Sequence, residues 1–145
     1  MSKALGLVLD QRKKAEDQAL GQLAQARQAL AALQNKINTL QKYRNDYLRE
    51  MQHKAGQGLT AVNMVHYQNF VARLDSGLAD LNSQMTQHQQ AVAAREQGWR
   101  QAHQDTKAID LLLERKANEA ALAGQRREQR ELDDLVNRRF GTPIA

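Results

Sequence analysis

The sequence contains no cysteine, a single proline and few aromatic residues, 4% in all. Without cysteine there are no disulfides and no thiolate metal sites. The scarcity of aromatic and β-branched residues argues against a compact sheet or sandwich. No run of about 18 apolar residues occurs, so no membrane-spanning helix is expected. The apolar stretch within the first ten residues is too short for a secretory signal. The expected location is cytoplasmic. Over 145 residues there is room for one ordinary domain. What is abundant is Ala, Leu, Gln, Glu, Lys and Arg, the strong helix formers. The composition predicts an all-α chain of long helices or a coiled coil.

One stretch interrupts the helical pattern. Ala55-Gly56-Gln57-Gly58-Leu59-Thr60 holds two glycines suited to a helix C-cap and turn. Thr60 is a fair N-cap, and Leu59 with Met64 has the spacing of a hydrophobic staple. Gly141-Thr142-Pro143 forms a second stop signal. The prediction is helix one over about 4–54, a loop over about 55–60 and helix two over about 60–140.

Both helices carry heptads. In helix one the a positions run Leu9, Glu16, Leu23, Leu30, Ile37, Arg44 and Met51. The d positions run Leu5, Arg12, Ala19, Ala26, Leu33, Leu40 and Tyr47. In helix two, Met64, Val71, Leu78, Met85, Val92, Trp99, Thr106 and Leu113 alternate with Tyr67, Leu74, Leu81, His88, Arg95, Ala102 and Ile109. Such seams define a coiled coil, and the short loop makes the pair antiparallel. The expected fold is one elongated, monomeric hairpin whose second helix is the longer. Counting outward from the loop exhausts helix one where the helix-two seam stops, so residues beyond about 113 are expected to project unpaired. Two registers fit the seam. One sets Arg95 against Glu16 and Trp99 against Arg12; the other sets Arg95 against Leu23 and Trp99 against Ala19. The cost of a buried unpaired charge favours the first. Trp99 is expected to pack in the seam over its small neighbour Gly98.

Nothing in the sequence assembles a catalytic site. The glycines follow no strand and precede no Gly-Lys-Ser/Thr, so they form no phosphate loop. His53, His66, His88 and His103 lie far apart, and a polar seam layer is the simpler role for His88. Asp110 and Glu114 read as a solvated pair. The chain is expected to be no enzyme and to need no cofactor or metal. The net charge of +5 is interspersed with carboxylates, which suits solvated helix faces better than nucleic acid. Before position 55 there are 10 basic and 5 acidic residues. Arg12, Lys13 and Lys14 stand together there. Arg126, Arg127 and Arg130 open a charged tail that also holds Glu128, Glu131, Asp133 and Asp134, a mixture suited to charged groups of another protein. Tyr43, Tyr47, Tyr67 and Phe70 flank the loop. Tyr47 and Tyr67 are seam positions; Tyr43 and Phe70 lie beside the seam, and Leu48 widens the stripe. A two-helix seam needs only a and d, so surplus apolar area here marks a partner site.

These residues resemble the FliJ family of flagellar type III export proteins. Leu40-Gln41-Lys42-Tyr43-Arg44-Asn45-Asp46-Tyr47 is similar to the family's Leu-x-x-Tyr-x-x-x-Tyr at the end of the first helix. Tyr67-Gln68-Asn69-Phe70-Val71-Ala72-Arg73-Leu74 is similar to its Tyr-x-x-Phe-x-x-x-Leu at the start of the second. Trp99, Leu112-Leu113-Glu114-Arg115 and Glu131-Leu132-Asp133-Asp134 also fall where the family has like segments. The resemblance implies a central-stalk-like coiled coil at the cytoplasmic face of the inner membrane. It would reach the membrane only through partners, assemble the flagellar export ATPase into its hexameric ring, contact the cytoplasmic part of the export gate membrane protein and escort export chaperones. It implies a gate-contacting face at Leu40, Tyr43, Tyr47, Phe70 and Leu74. Gly77 and Leu81 depart from the family's pattern beside that face. On the shaft arrangement that the resemblance implies, ATPase contact is expected from the tail beyond Leu113, with Arg126, Arg127 and Arg130, together with Arg12, Lys13 and Lys14. The alternatives are the equivalent stalk of a virulence secretion system, a helical adaptor or chaperone without ATPase role, and, more remotely, a nucleic-acid-binding coil.

Overall fold

The heptads predict a helical hairpin, and the computed structural model, which describes residues 2–140, is one. Two long helices, α1 (Ser2–Gly56) and α2 (Ala61–Phe140), pack against each other. There is no strand among the described residues. The expected stop at Gly141-Thr142-Pro143 lies outside them.

α1 runs two residues further than its predicted end. Gly56 closes the helix, and Gly58 carries the left-handed conformation, with φ 94°, which favours glycine at that position. The Gln57 amide donates to the Lys54 carbonyl at 3.0 Å, tightening the last turn. α2 then starts on a side-chain cap: the Thr60 hydroxyl accepts from the Asn63 amide at 3.3 Å, satisfying a donor that the helix leaves unpaired. The capping residue is the predicted one.

The chain divides into two compact units. The first spans Asp17–Arg100 and includes the turn. Its core is the predicted seam: Leu33, Ile37, Leu78 and Leu81 are buried together, with Leu40 and Met85 packed against them. Leu23 is the most enclosed side chain among the described residues. Burying a leucine or isoleucine side chain contributes about 1.5–3 kcal/mol, and these layers hold the helices together. Every a and d position of the unit is buried or half-buried except Arg95.

The register is the one with Arg95 beside Leu23, which corrects the favoured expectation. Arg95 Nη1 donates to Gln22 Oε1 at 3.0 Å, and Arg44 forms an ion pair with Asp75. No charge is buried at this position, because the Arg95 side chain reaches the surface from the seam. The same register sets Ala19, not a charged residue, across from Trp99. Trp99 is half-buried in the seam, as expected.

The second unit joins residues 1–16 of α1 to α2 from Gln101 onward. Its seam is more polar. Glu16 accepts a bond from His103 Nδ1 at 2.6 Å, Arg12 lies 3.8 Å from Asp105, and Thr106 is buried with its hydroxyl on the Ala102 carbonyl at 3.0 Å. From Ala117 to Phe140 every α2 residue is exposed except the half-exposed Gly124.

Candidate protein-contact surfaces

The first surface lies beside the turn. Tyr47, at a d position, sits between two rings of α2. Its centroid is 4.8 Å from Tyr67 and 4.3 Å from Phe70, with interplanar angles of 48° and 39°. Tilted contacts at this range avoid face-to-face repulsion between ring quadrupoles. Tyr47 and Tyr67 are therefore half-buried seam residues. Tyr43 remains 59% exposed and Phe70 41% exposed. Leu40 and Leu74 are half-buried, and Leu40 also supports the core cluster. The five expected residues thus differ in exposure: Tyr43 and Phe70 offer open apolar surface, Phe70 packs on Tyr47, and Leu40 and Leu74 are half-buried seam residues.

Two further exposed apolar residues lie close to this region in sequence. Val62 and Val65 in the first turns of α2 are both more than half exposed. Their signal was available: valine fills outward heptad positions where a solvated helix carries polar groups. A shallow depression of about 300 Å³ lined by Tyr47, Lys54, Leu59, Asn63, His66 and Tyr67 lies nearby. Lys54 Nζ stands 5.5 Å from the centre of the Tyr67 ring and 3.1 Å from Glu50. Tyr67 first, then Glu50, hold its pKa above the ordinary lysine value, so the ammonium keeps its charge.

The second surface belongs to the other unit. Lys13 and Lys14 are exposed, while Arg12 is engaged with Asp105. Arg126, Arg127 and Arg130 line a shallow exposed depression with Ala123. The two basic groups do not form one patch. Arg12 meets α2 at Asp105, and Arg126 follows about 30 Å further along that helix at about 1.5 Å per residue. Between and beyond them, Leu111, Leu122, Leu132, Leu135, Val136 and Phe140 are exposed, apolar residues that lie outside the seam phase. Among the described residues no group of three or more histidine, aspartate or glutamate side chains gathers as a metal site. Among the described residues the depressions lined by Tyr47 and Tyr67 and by Arg126, Arg127 and Arg130 are both shallow and open.

A family model described as "FliJ: Flagellar FliJ protein" matches residues 1–143. The chain is 27% identical over 135 residues to a Flagellar FliJ protein of Salmonella typhi, covering 93% of this chain and 92% of that one. It is 26% identical over 135 residues to a Flagellar FliJ protein of Escherichia coli (strain K12), with the same coverage. No solved structure matches significantly.

Proposed function

The chain belongs to the FliJ family of flagellar proteins, a component of the flagellar export apparatus, and from that premise we propose that it works as the stalk of the export ATPase. In this reading a single hairpin promotes assembly of the ATPase into its hexameric ring and raises its activity. It links the ring to the cytoplasmic part of the export gate and to export chaperones, without carrying out a reaction of its own. It works in the cytoplasm at the inner-membrane export apparatus.

The observation that carries the reading is the family match along nearly the whole chain, and the two exposed surfaces support it. One unit presents Tyr43 and Phe70, with Val62 and Val65 close in sequence. Exposed aromatic groups on a firm base are suited to anchoring in a partner's pocket, and this surface is assigned to the gate. The other unit presents a helical segment with every residue from Ala117 open to solvent except half-exposed Gly124. A helix about 10–12 Å across with its side chains fits the centre of a protein ring, and mixed surface charge permits contacts that form and release readily. This segment, with Arg126, Arg127 and Arg130, is assigned to the ATPase; Lys13 and Lys14 add a second basic contact.

Removing residues 114–145 tests the assignment. The truncated chain is expected to lose ATPase stimulation while still binding the gate domain. Stimulation retained by the truncated chain contradicts it, and loss of both activities with loss of helix would show that the segment supports folding instead.

A further inference from the structure

The apolar residues of the α2 tail do not continue the seam. In this unit the seam is formed by Ala102, Thr106, Ile109 and Leu113, all buried or half-buried. At about 100° per residue, Leu122, Leu132, Val136 and Phe140 fall in one narrow band on roughly the opposite side of α2. All four are more than half exposed, Phe140 reaching 80%. The seam phase over the same stretch reads Ala120, Ala123, Arg127, Arg130 and Asp134. The tail therefore has a face of its own, turned away from α1, on which Leu122, Leu132 and Val136 alternate with Gln125, Gln129 and Arg139, with Phe140 at its edge one heptad beyond Asp133.

The edges of that face are self-complementary. Arg126 and Asp133 lie one heptad apart on one flank, and Glu128 and Leu135 lie one heptad apart on the other. When two identical helices meet antiparallel about a two-fold axis, each flank meets its own counterpart. Arg126 of each copy then stands against Asp133 of the other, and Glu128 against Leu135, each contact occurring twice. Leu132 packs on the stem of Gln129, Val136 on Gln125 and Leu122 on the stem of Arg139, whose guanidinium reaches solvent. A parallel pair would instead oppose Glu128 and Asp133, a like-charge contact made twice. Arg126 has no ion pair among the described residues, and Asp133 accepts only a neutral bond from Gln129 at 3.2 Å.

We propose that residues 117–140 of α2 pair antiparallel with the same segment of a second copy of this chain, about a two-fold axis near Arg130. The exposed apolar side chains of the face offer roughly 500 Å² per copy, the size at which a patch marks a contact site. That is below the roughly 800 Å² per partner of a standard stable interface. The pair is therefore weak and reversible, and it hides the segment that the stalk reading gives to the ATPase.

The test involves no other protein, so it stands or falls apart from the stalk reading. Sedimentation equilibrium of the full chain, from on the order of 10 µM to 1 mM, is expected to show the mass rising from 16.4 kDa toward twice that value. Arg126→Asp and Asp133→Arg are each expected to weaken the pair about tenfold, because each creates two like-charge contacts. The double variant restores both contacts and is expected to return the affinity to within about threefold of the original. Circular dichroism checks that all variants keep their helix. A mass fixed at the single-chain value overturns the proposal. So does association that ignores the single substitutions or is not rescued by the double one, which would point to a dimer built by opening the turn.

Discussion

The Glu16 carboxylate accepts a hydrogen bond from His103 Nδ1 at 2.6 Å, joining α1 to α2 at a polar layer of the seam. His103 above all, with the Thr106 hydroxyl as second contributor, holds the Glu16 pKa below its ordinary value of 4.5. A lowered carboxylate pKa contributes stability that is fully present above 4.5 and is lost as pH falls through the folded-state value. Glu16→Gln is therefore expected to melt at a lower temperature than the parent at pH 7. The gap should close as both are acidified below pH 4.5. Thermal melts across that range check it, and a gap independent of pH would contradict the role given to the pair.

The layer formed by Leu33, Ile37, Leu78 and Leu81 carries the first unit. Ile37→Ala is expected to cost about 2–4 kcal/mol, the transfer of the lost methylene groups plus the cavity they leave. A two-helix seam has few neighbouring layers to compensate. Urea denaturation measures the change, and a cost under about 1 kcal/mol would mean that the layer collapses freely.

The register is open to a chemical test, since the chain has no cysteine of its own. Arg44→Cys with Asp75→Cys is expected to be joined by a short bis-maleimide, because these side chains meet as an ion pair. Ile37→Cys with Asp75→Cys represents the rejected register, which is displaced by one heptad. It places the first thiol about 10 Å further along α1 at about 1.5 Å per residue, and it should react far more slowly. Equal yields from the two pairs would contradict a fixed register.

The seam itself was legible in the sequence because apolar side chains at a and d have no better place to go. Leu23, Ile37, Leu78 and Leu81 were all identified from spacing alone. The register was not legible. A charged residue at a seam position reads as a buried charge, but a long side chain leaves a two-helix seam easily, and Arg95 bonds Gln22 at the surface. Glu16 finds its partner in His103, a residue outside the heptad seam and therefore outside the pattern being searched. Val62, Val65 and the tail stripe ending at Phe140 escaped for the same reason: they follow a helical period, but in a different phase.

Two glycines are expected to respond oppositely. Gly77 sits inside α2, and a Cβ there meets nothing within 4 Å. Gly77→Ala should stabilise the chain by about 0.5–1 kcal/mol through helix propensity. Gly58 holds φ at 94° in the turn, and Gly58→Ala should destabilise it by about 1 kcal/mol. Denaturation midpoints of the two variants measure both effects, and a shift of the same sign in each would contradict the assignment of the turn to Gly58.

The central claim is that this chain acts on the export ATPase. The most direct measurement is the ATP hydrolysis rate of the purified cognate ATPase, with and without the full chain, together with the oligomeric mass of the ATPase under the same conditions. The stalk account predicts a higher rate accompanied by a shift of mass to the hexamer. An active ATPase whose rate and mass are both unchanged by the chain would contradict it.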